Sequence, residues 1–598
     1  MYLSKSKYCL GVQCNKILWL DQHAPEEREE TSNESVLDNG TKVGECAKDL
    51  FGFHIDINFS ENLTEMISDT KKILKLDKII VTEASFQYEK NFCSVDILKK
   101  DGNDYEIYEV KSSTSVHDIY LDDISYQVYI LKGLGLNVTK ASIIHINPDY
   151  VRHGKLNLQE LFVINDVTDI AFSKQEEVAS KIDEINKYME DNHEKDEPLG
   201  LHCVNPYACP YFNYCTGHLP KPNVFDVKRM RNNQKFKLYD EGIITYDDLL
   251  KEELDPKLLK QIDFALNNKE PYINKSKIEK FLNSLSYPLY FLDFETFQES
   301  IPSYDGTRPY EQIPFQYSLH YYEKEGGKLL HEEFLSEPGI DPRRSLAEKL
   351  VKDIPMNVCT LAYNMSFEKT VIKHLAYTFP DLKEHLLNIH DNIKDLMVPF
   401  KDMDYYTKEM QGSFSIKYVL PALFPDDPSL DYHNLEGVHN GSEAMNSFAN
   451  MASLSKEDQL TLRHNLLEYC KLDTYAMVKI FDKLSTVKWL TSRRKYIHFI
   501  YFLLYNENKI RGFGGETYMP DDELSMEELD QVGTMNFSQL NEFMTAFEKG
   551  DMEKTVQLGQ ALLNNPAFDQ RQLEEIVKII DQAKNVMNHK EETKGFGL

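Results

Sequence analysis

No apolar run in this 598-residue chain approaches the roughly 20 residues that a membrane span requires. The N-terminus, MYLSKSKYCLGVQCNKILWL, lacks the continuous apolar segment and small-residue cleavage site of a secretory signal, and Asn15 and Lys16 interrupt its hydrophobic half. A cytoplasmic protein is expected. Cysteine is scarce: nine residues in so long a chain exclude a disulfide scaffold, and in a reducing compartment a clustered subset points to metal binding. Cations are also in deficit, with 67 Lys and Arg against 97 Asp and Glu and a formal charge of −30. That excludes attraction of nucleic acid to the surface at large, because phosphate neutralisation needs locally concentrated Lys and Arg. Two local candidates are residues 221–237, containing KRMRNNQKFK, and Arg493-Arg494-Lys495; each reads equally well as a solvated helix face. The chain has no solenoid repeat, no low-complexity tract and no GxxxxGK(S/T) phosphate loop, so no helicase motor is evident.

What is present is an ordinary globular composition, 41% hydrophobic, in a chain longer than one core usually organises. The expected class is α/β multidomain. Residues 1–217 read as a mixed α/β unit: a helix after Ser4, a helix through GTKVGECAKDLFG, strands at KIIVTEASF, FCSVDIL and YEIYEVKSS, a helix through DIYLDDISYQVYILKGLG, and a returning strand VTKASIIHINP. A charged helical stretch over 172–194 follows, and HCVNPYACPYFNYC closes the unit. Residues 224–286 read as a helical connector, with LYDEGIITYDDLL shaped like a small helix-hairpin-helix. A second α/β unit spans 287–506, and 509–598 reads as a helical accessory tail with amphipathic stretches NFSQLNEFMTAFEKG and QLEEIVKIIDQAKNVM.

Two constellations carry chemistry. In the first unit a hairpin turning about Gly102-Asn103 sets Asp96 opposite Glu109, and strand alternation puts Glu109 and Lys111 on one face. Two carboxylates and an ammonium beside one cleft suit Mg²⁺ or Mn²⁺, which polarises a phosphoryl oxygen and lowers the pKa of a bound water, while the lysine orients that water or stabilises developing charge. The competing reading is a cross-strand salt bridge. Cys14, then a long gap, then Cys203, Cys209 and Cys215 at equal spacing bracket this region, an arrangement hard to obtain by chance that predicts chain ends meeting around a metal group. Cys9 is the rival for Cys14; Cys46, Cys93, Cys359 and Cys470 read as packing residues.

With VDIL carrying Asp96, EVK carrying Glu109 and Lys111, and Gln127 on the following helix, the first unit resembles the PD-(D/E)xK nuclease superfamily with its restriction-endonuclease-like fold. The RecB-like branch of that family has one early and three late cysteines on a [4Fe-4S] cluster. The resemblance assigns these to Cys14, Cys203, Cys209 and Cys215, with structural zinc as the alternative, since zinc also takes four thiolates. Family members often place a metal-binding His on the early helix; here Gly44 stands at that position, with Glu45 beside it as a substitute. Glu83 on the preceding strand is a further candidate ligand that reads more readily as a surface acid.

In the second unit FLDFETF interrupts an apolar strand with Asp293 and Glu295 on one face, an arrangement costly to bury without a cation. Glu368 lies at the start of the helix after AYNM, and Tyr469 and Asp473 stand one turn apart in LLEYCKLDTYAM. These residues resemble the DnaQ-like, or DEDD, 3′→5′ exonucleases of the ribonuclease H-like fold, in the tyrosine subclass, because Glu468 stands where the histidine subclass has His. The resemblance implies that Asp293, Glu295, Glu368 and Asp473 hold two divalent ions and that Tyr469 positions the attacking water. Glu368 departs from the usual aspartate. Asp395 and GSFSIKYVL match the family's middle region in supporting roles.

The order of parts resembles poorly characterised bacterial proteins that fuse the two nuclease types, over residues 1–506. It implies hydrolysis of phosphodiester bonds in DNA, from single-stranded ends, in repair, processing or defence. Two competing readings are a nucleic-acid-binding scaffold with a decayed centre and an RNA-processing exonuclease, since no motif here reads a 2′-hydroxyl. A helicase or other protein partner for the C-terminal helices is not specified by the sequence.

Overall fold

The computed structural model describes residues 2–29, 34–510 and parts of 542–584. Met1–Tyr496 form one compact unit and Ile497–Leu598 a second.

The first sheet of the larger unit contains β1 (Leu3–Ser4), β2 (Ile55–Asp56), β3 (Lys78–Tyr88), β4 (Asn91–Asp101), β5 (Asp104–Lys111), β6 (Asn137–Ile146) and β7 (Phe162–Asp166), in the order β2-β3-β4-β5-β6-β7 with β1 parallel to β4. β4 and β5 form the expected hairpin, closed by Asp101 opposite Asp104, with Gly102 at φ +60° where the turn needs a left-handed residue. β5 and β6 are parallel and therefore need a crossover. The helices that matter here are α1 (Lys5–Gln13), α2 (Asn15–His23), α3 (Glu34–Lys48), α4 (Leu63–Ile73) and α5 (Asp118–Gly133), and α5 is that crossover. Ile124, Val128 and Leu131 of α5 pack with Val95, Ile107 and Ile143 on one face of the sheet; Val43 and Ala47 of α3 pack with Ile97, Tyr108 and Ile144 on the other.

The connector is helical as expected, with Asn232–Asp240 and Tyr246–Leu249 flanking a turn at Gly242 (φ +77°), followed by Pro256–Leu266 and Lys275–Asn283. Its short strand β8 (Tyr272–Ile273) pairs with a strand of the following domain. That domain is a five-stranded sheet of β9 (Leu289–Phe297), β10 (Ile313–Tyr322), β11 (Leu329–Leu335), β12 (Cys359–Ala362) and β13 (Ile393–Asp395), in the order β11-β10-β9-β12-β13; β14 (Tyr405–Tyr406) is the partner of β8. β9, the middle strand, runs antiparallel to β10 and parallel to β12. It is buried on both sides, which explains its near-continuous apolar sequence. The molecule is thus α/β and multidomain.

The helix Lys456–Ile510 runs straight through the boundary expected at 506–509. Arg493-Arg494-Lys495 lies outside the residues whose side chains are described, as does most of the two amphipathic tail stretches. In the smaller unit the helix Met552–Leu562 contributes Leu562 to a cluster with Phe543, Phe547, Ile576, Ile579, Ile580 and Ala583. Among the described residues no helix is long and apolar enough to cross a membrane.

In the basic segment 221–237, Lys221, Lys228, Arg231 and Lys237 are exposed, while Arg229 and Lys235 are tied to backbone carbonyls. Arg229 donates to the Lys401 carbonyl at 3.0 Å, Lys235 to that of Phe225 at 2.6 Å, and burial lowers the pKa of both cations.

Candidate functional sites

The first site is built on three neighbouring strands. The register that pairs Thr82 with Ile97 and Ala84 with Val95 puts Glu83 opposite Asp96; the register pairing Ile97 with Tyr108 puts Asp96 opposite Glu109. The acids therefore form a row across the sheet. Glu83 sits at φ +55°, a local break in β3 of the kind that re-aims side chains next to functional sites. Its reading as a surface acid is corrected: burial, then the Asp96 charge, push its carboxyl up to about 7. Glu45 does not substitute for the missing His, since its side chain is 65% exposed and pairs with Lys48 at 2.6 Å.

α5 delivers Gln127, fully buried, and one turn earlier Asp123, which the sequence reading missed. Gln127 Nε2 donates to Glu109 Oε2 at 2.6 Å and Asp123 Oδ1 at 3.0 Å. Lys111 Nζ lies 2.7 Å from Glu109 Oε1 and 2.6 Å from Asp123 Oδ2. The N-terminal residue of α1, Lys5, was also missed, and its Nζ lies 3.0 Å from Asp96 Oδ1 and 2.9 Å from Glu109 Oε1. Burial opposes the charge on Glu109, but Lys111 and Lys5 outweigh it and hold the carboxyl well below its ordinary range. Asp96 and Asp123 go the other way, raised by burial and by the Glu109 charge. Paired helix positions Asp123 and Gln127 in LDDISYQ were the available signal for Asp123; nothing in KSK marks Lys5.

Cys14, Cys203, Cys209 and Cys215 line one small cavity with Lys16, Tyr211 and Phe212. Cys14 ends α1 in extended conformation at φ −165°, Cys203 closes a 3₁₀ turn, and Cys215 lies in the helix Phe212–Thr216. The Cys209 amide donates to the Cys203 carbonyl at 2.9 Å, folding the late cysteines together. Cys9, the rival, lies instead near Asp123, Lys111 and Glu109. Burial raises all four thiols, Cys209 to about 12.

The second site opens as a cleft of about 1300 Å³ lined by Asp293, Glu295, Tyr469 and Asp473, with Phe367, Lys417, Phe424 and Tyr432 around them. β9 supplies the first two acids and the helix Lys456–Ile510 the second pair. Donor atoms of Asp293, Glu295 and Cys470 all lie within 4.8 Å of one another. Glu368 stands slightly apart: it is 2% exposed in the first turn of the helix Ser366–Thr378, its Oε2 has no hydrogen-bond partner, and its charge helps raise Asp293. Burial raises every one of these carboxyls. Asp293 is pushed well up by burial, Asp473, Glu295 and Glu368, and Glu295 by burial and Asp473. Glu368 moves to about 8 through burial, and Asp473 to about 6, where burial outweighs the opposing Tyr432 and Tyr469 hydroxyls. Tyr432, unanticipated, donates to Asp473 Oδ1 at 2.6 Å. Asp395 caps local backbone, accepting from the amides of Asn364 and Met397 at 3.0 and 2.9 Å.

Clustered acids with raised affinity for protons are short of positive charge, and hard oxygen donors of this type suit Mg²⁺ or Mn²⁺. At the second centre the donor atoms of Asp293 and Glu295, with that of Cys470, could hold such an ion; at the first, Asp96 and Glu109 offer oxygens of the same type but share them with the Lys5 and Lys111 ammoniums. The four thiols line one cavity and are donors of the type that suits a soft metal group.

A family model described as "Domain of unknown function (DUF2779)" matches residues 290–415, a span that contains Asp293, Glu295 and Glu368 and ends before Tyr469 and Asp473. An uncharacterized protein of Ureaplasma parvum serovar 3 (strain ATCC 700970) is 22% identical over 420 residues, covering 64% of this chain and 54% of that protein. The chain thus spans about half the length of this curated relative.

Proposed function

We propose that this chain is a Mg²⁺- or Mn²⁺-dependent nuclease with two phosphodiester-hydrolysing centres, acting on DNA from single-stranded ends. The observation that carries the reading is that residues nominated from distant parts of the sequence meet twice: Asp96, Glu109, Lys111 and Gln127 in one hydrogen-bonded cluster, and Asp293, Glu295, Tyr469 and Asp473 around one cleft. Strand order supports the fold resemblances. In the second domain the third, second, first, fourth and fifth strands lie side by side, the arrangement of a ribonuclease H-like sheet. In the first, an antiparallel hairpin leads through a crossover helix to a parallel strand, as in the restriction-endonuclease-like core.

A divalent ion would be held by Asp96 and Glu109 in the first centre and by Asp293, Glu295 and Asp473 in the second, supplying charge stabilisation for the attacking and leaving oxygens. Lys111 orients the attacking water and neutralises charge on the scissile phosphate; Gln127 fixes the Glu109 carboxylate. In the second centre Tyr469 positions water against the phosphorus, and Phe367 and Phe424 offer faces for terminal bases. Cys14, Cys203, Cys209 and Cys215 would hold a [4Fe-4S] cluster. Structural zinc, which also takes four thiolates, is the alternative.

One observation favours a second reading: Glu368 lies behind the cleft rather than lining it, as expected of a domain that binds strands without cutting them. Anaerobically purified protein incubated with end-labelled single- and double-stranded DNA and RNA, under Mg²⁺, Mn²⁺ or chelator, separates these. Loss of metal-dependent cleavage in Asp96→Ala or in Asp293→Ala assigns the working centre, and loss only in the double variant means both cut. Binding without cleavage under every metal would overturn the enzyme.

A further inference from the structure

The partners of the first-centre carboxylates differ in how removable they are. Asp96 Oδ2 accepts the Val110 amide at 2.7 Å, a bond within the sheet. Glu109 Oε1 accepts Lys111 from the same strand and Oε2 accepts Gln127 from α5. The group that bridges both acids is Lys5, whose ammonium contacts Asp96 Oδ1 at 3.0 Å and the two Glu109 oxygens at 2.9 and 3.0 Å. A divalent ion shared by Asp96 and Glu109 needs the same oxygens at about 2.1 Å, so it and the Lys5 ammonium exclude one another.

Lys5 is not on a loose tail. β1 pairs with β4 at Leu3 and Ser4, Tyr126 donates to the Leu3 carbonyl at 2.5 Å, and Ser4 caps α1. At the far end of this nine-residue helix, Gln13 Nε2 donates to the carbonyls of His202 and Tyr207, each at 2.8 Å, and Cys14 enters the cysteine cavity. One short helix therefore carries Lys5 at the acids and is clamped to the cysteine-bearing segment at its other end. The Lys5 side chain is 24% exposed.

We propose that Lys5 is an internal counter-ion occupying the divalent-cation seat of Asp96 and Glu109, displaced when the ion loads, and that α1, clamped at Gln13, sets how firmly it competes. The proposal rests on the first centre being metal-dependent, and it makes the cysteine segment a regulator of loading. Asp123 and Glu83 are the other acids facing this seat, and Lys111 the other cation; Lys111 stays paired with Asp123 when Lys5 leaves.

The test is Mn²⁺ binding by calorimetry to full-length protein carrying Asp293→Ala and Asp473→Ala, which silence the second centre. Removing a competitor that holds the seat most of the time raises apparent affinity by the inverse of the vacant fraction, so Lys5→Met should bind Mn²⁺ at least ~10-fold more tightly, whereas Lys5→Arg should not. Lys5→Met should also melt earlier without metal and gain more from Mn²⁺ than the parent, showing that it is folded. Gln13→Ala should tighten Mn²⁺ binding in the Lys5 protein and leave Lys5→Met unchanged. Equal or weaker Mn²⁺ binding in Lys5→Met overturns the proposal, and no effect of Gln13→Ala overturns the role of α1. Unaltered Mn²⁺ binding in Asp96→Ala would instead remove the metal reading of the centre itself.

Discussion

Residues nominated by motif were legible because their neighbours in sequence announced them; those that complete the sites were not. Glu83 became a site residue only once β3 was registered on β4, and the turn between them, at Glu89 and Lys90, carries no glycine to mark it. Lys5 and Tyr432 reach their sites through long-range contacts that no local pattern encodes. Charge at this scale yields a pH prediction. Glu368 and Glu83 have folded values of about 8 and about 7, above the ~4.3 of an unfolded Glu. The folded state therefore holds extra protons, and metal-free stability falls as pH rises toward these values. His320 and His331, lowered by burial to about 3 and about 4, act oppositely, but only below the ~6.5 of an unfolded His. Between about pH 6.5 and 8 the acids act alone, so the melting temperature in chelator should decline across that window. A melting temperature that climbs through the same window in chelator would mean that these buried carboxyls do not hold extra protons in the folded state.

At the scale of elements, the long strands β3, β4, β5, β6 and β9 were readable, whereas the five-residue β7 was not anticipated and the two-residue strands β1, β2, β8 and β14 could not be, because so short a segment has no period. Those short strands do the joining. β1 fixes the start of α1, and the β8–β14 pair ties the connector to the second domain. The same junction depends on Gly412, at φ +75°, where an added Cβ would stand 2.0 Å from Gln261 Oε1. Gln261, 3% exposed on the helix Pro256–Leu266, holds both the amide and the carbonyl of Lys228 at 3.1 and 2.8 Å. Gly412→Ala combines left-handed strain with a clash against this bridge, so it should cost about 1–3 kcal/mol or more. Denaturant melts compare it with Ser413→Ala; equal midpoints would show that the loop relaxes freely and that the connector is not held there.

Across the larger unit the two candidate centres are joined by the segment that leaves the end of β9, two residues beyond Glu295. Residues 298–311 cross to the first domain, where Ile301 and Tyr310 pack among Tyr108, Ile144 and Tyr150 on the α3 face of its sheet. Arg152 exchanges backbone bonds with this segment, donating to Thr307 at 3.0 Å and accepting from Gly306 at 2.7 Å, and its guanidinium reaches the Pro302 carbonyl at 2.6 Å. Tyr310 donates to the carbonyl of Ser112, the residue after Lys111. Motif order placed two candidate sites in series; that their domains are stitched through segments next to those residues is a long-range fact invisible to local pattern. Shared apolar burial of this kind couples unfolding, since each large side chain removed from water contributes about 1.5–3 kcal/mol. Hydrogen exchange on the full-length protein should therefore show peptides of β5 and β9 losing protection at the same denaturant concentration, as one cooperative unit. The double variant Ile301→Ala, Tyr310→Ala should separate them, with the weaker sheet opening first while the other keeps its parent midpoint. If both sheets still open together at the parent midpoint in that variant, the 298–311 segment is a bystander and the coupling resides in the connector. Earlier opening of both sheets in step would mean that the segment contributes stability without being the sole link.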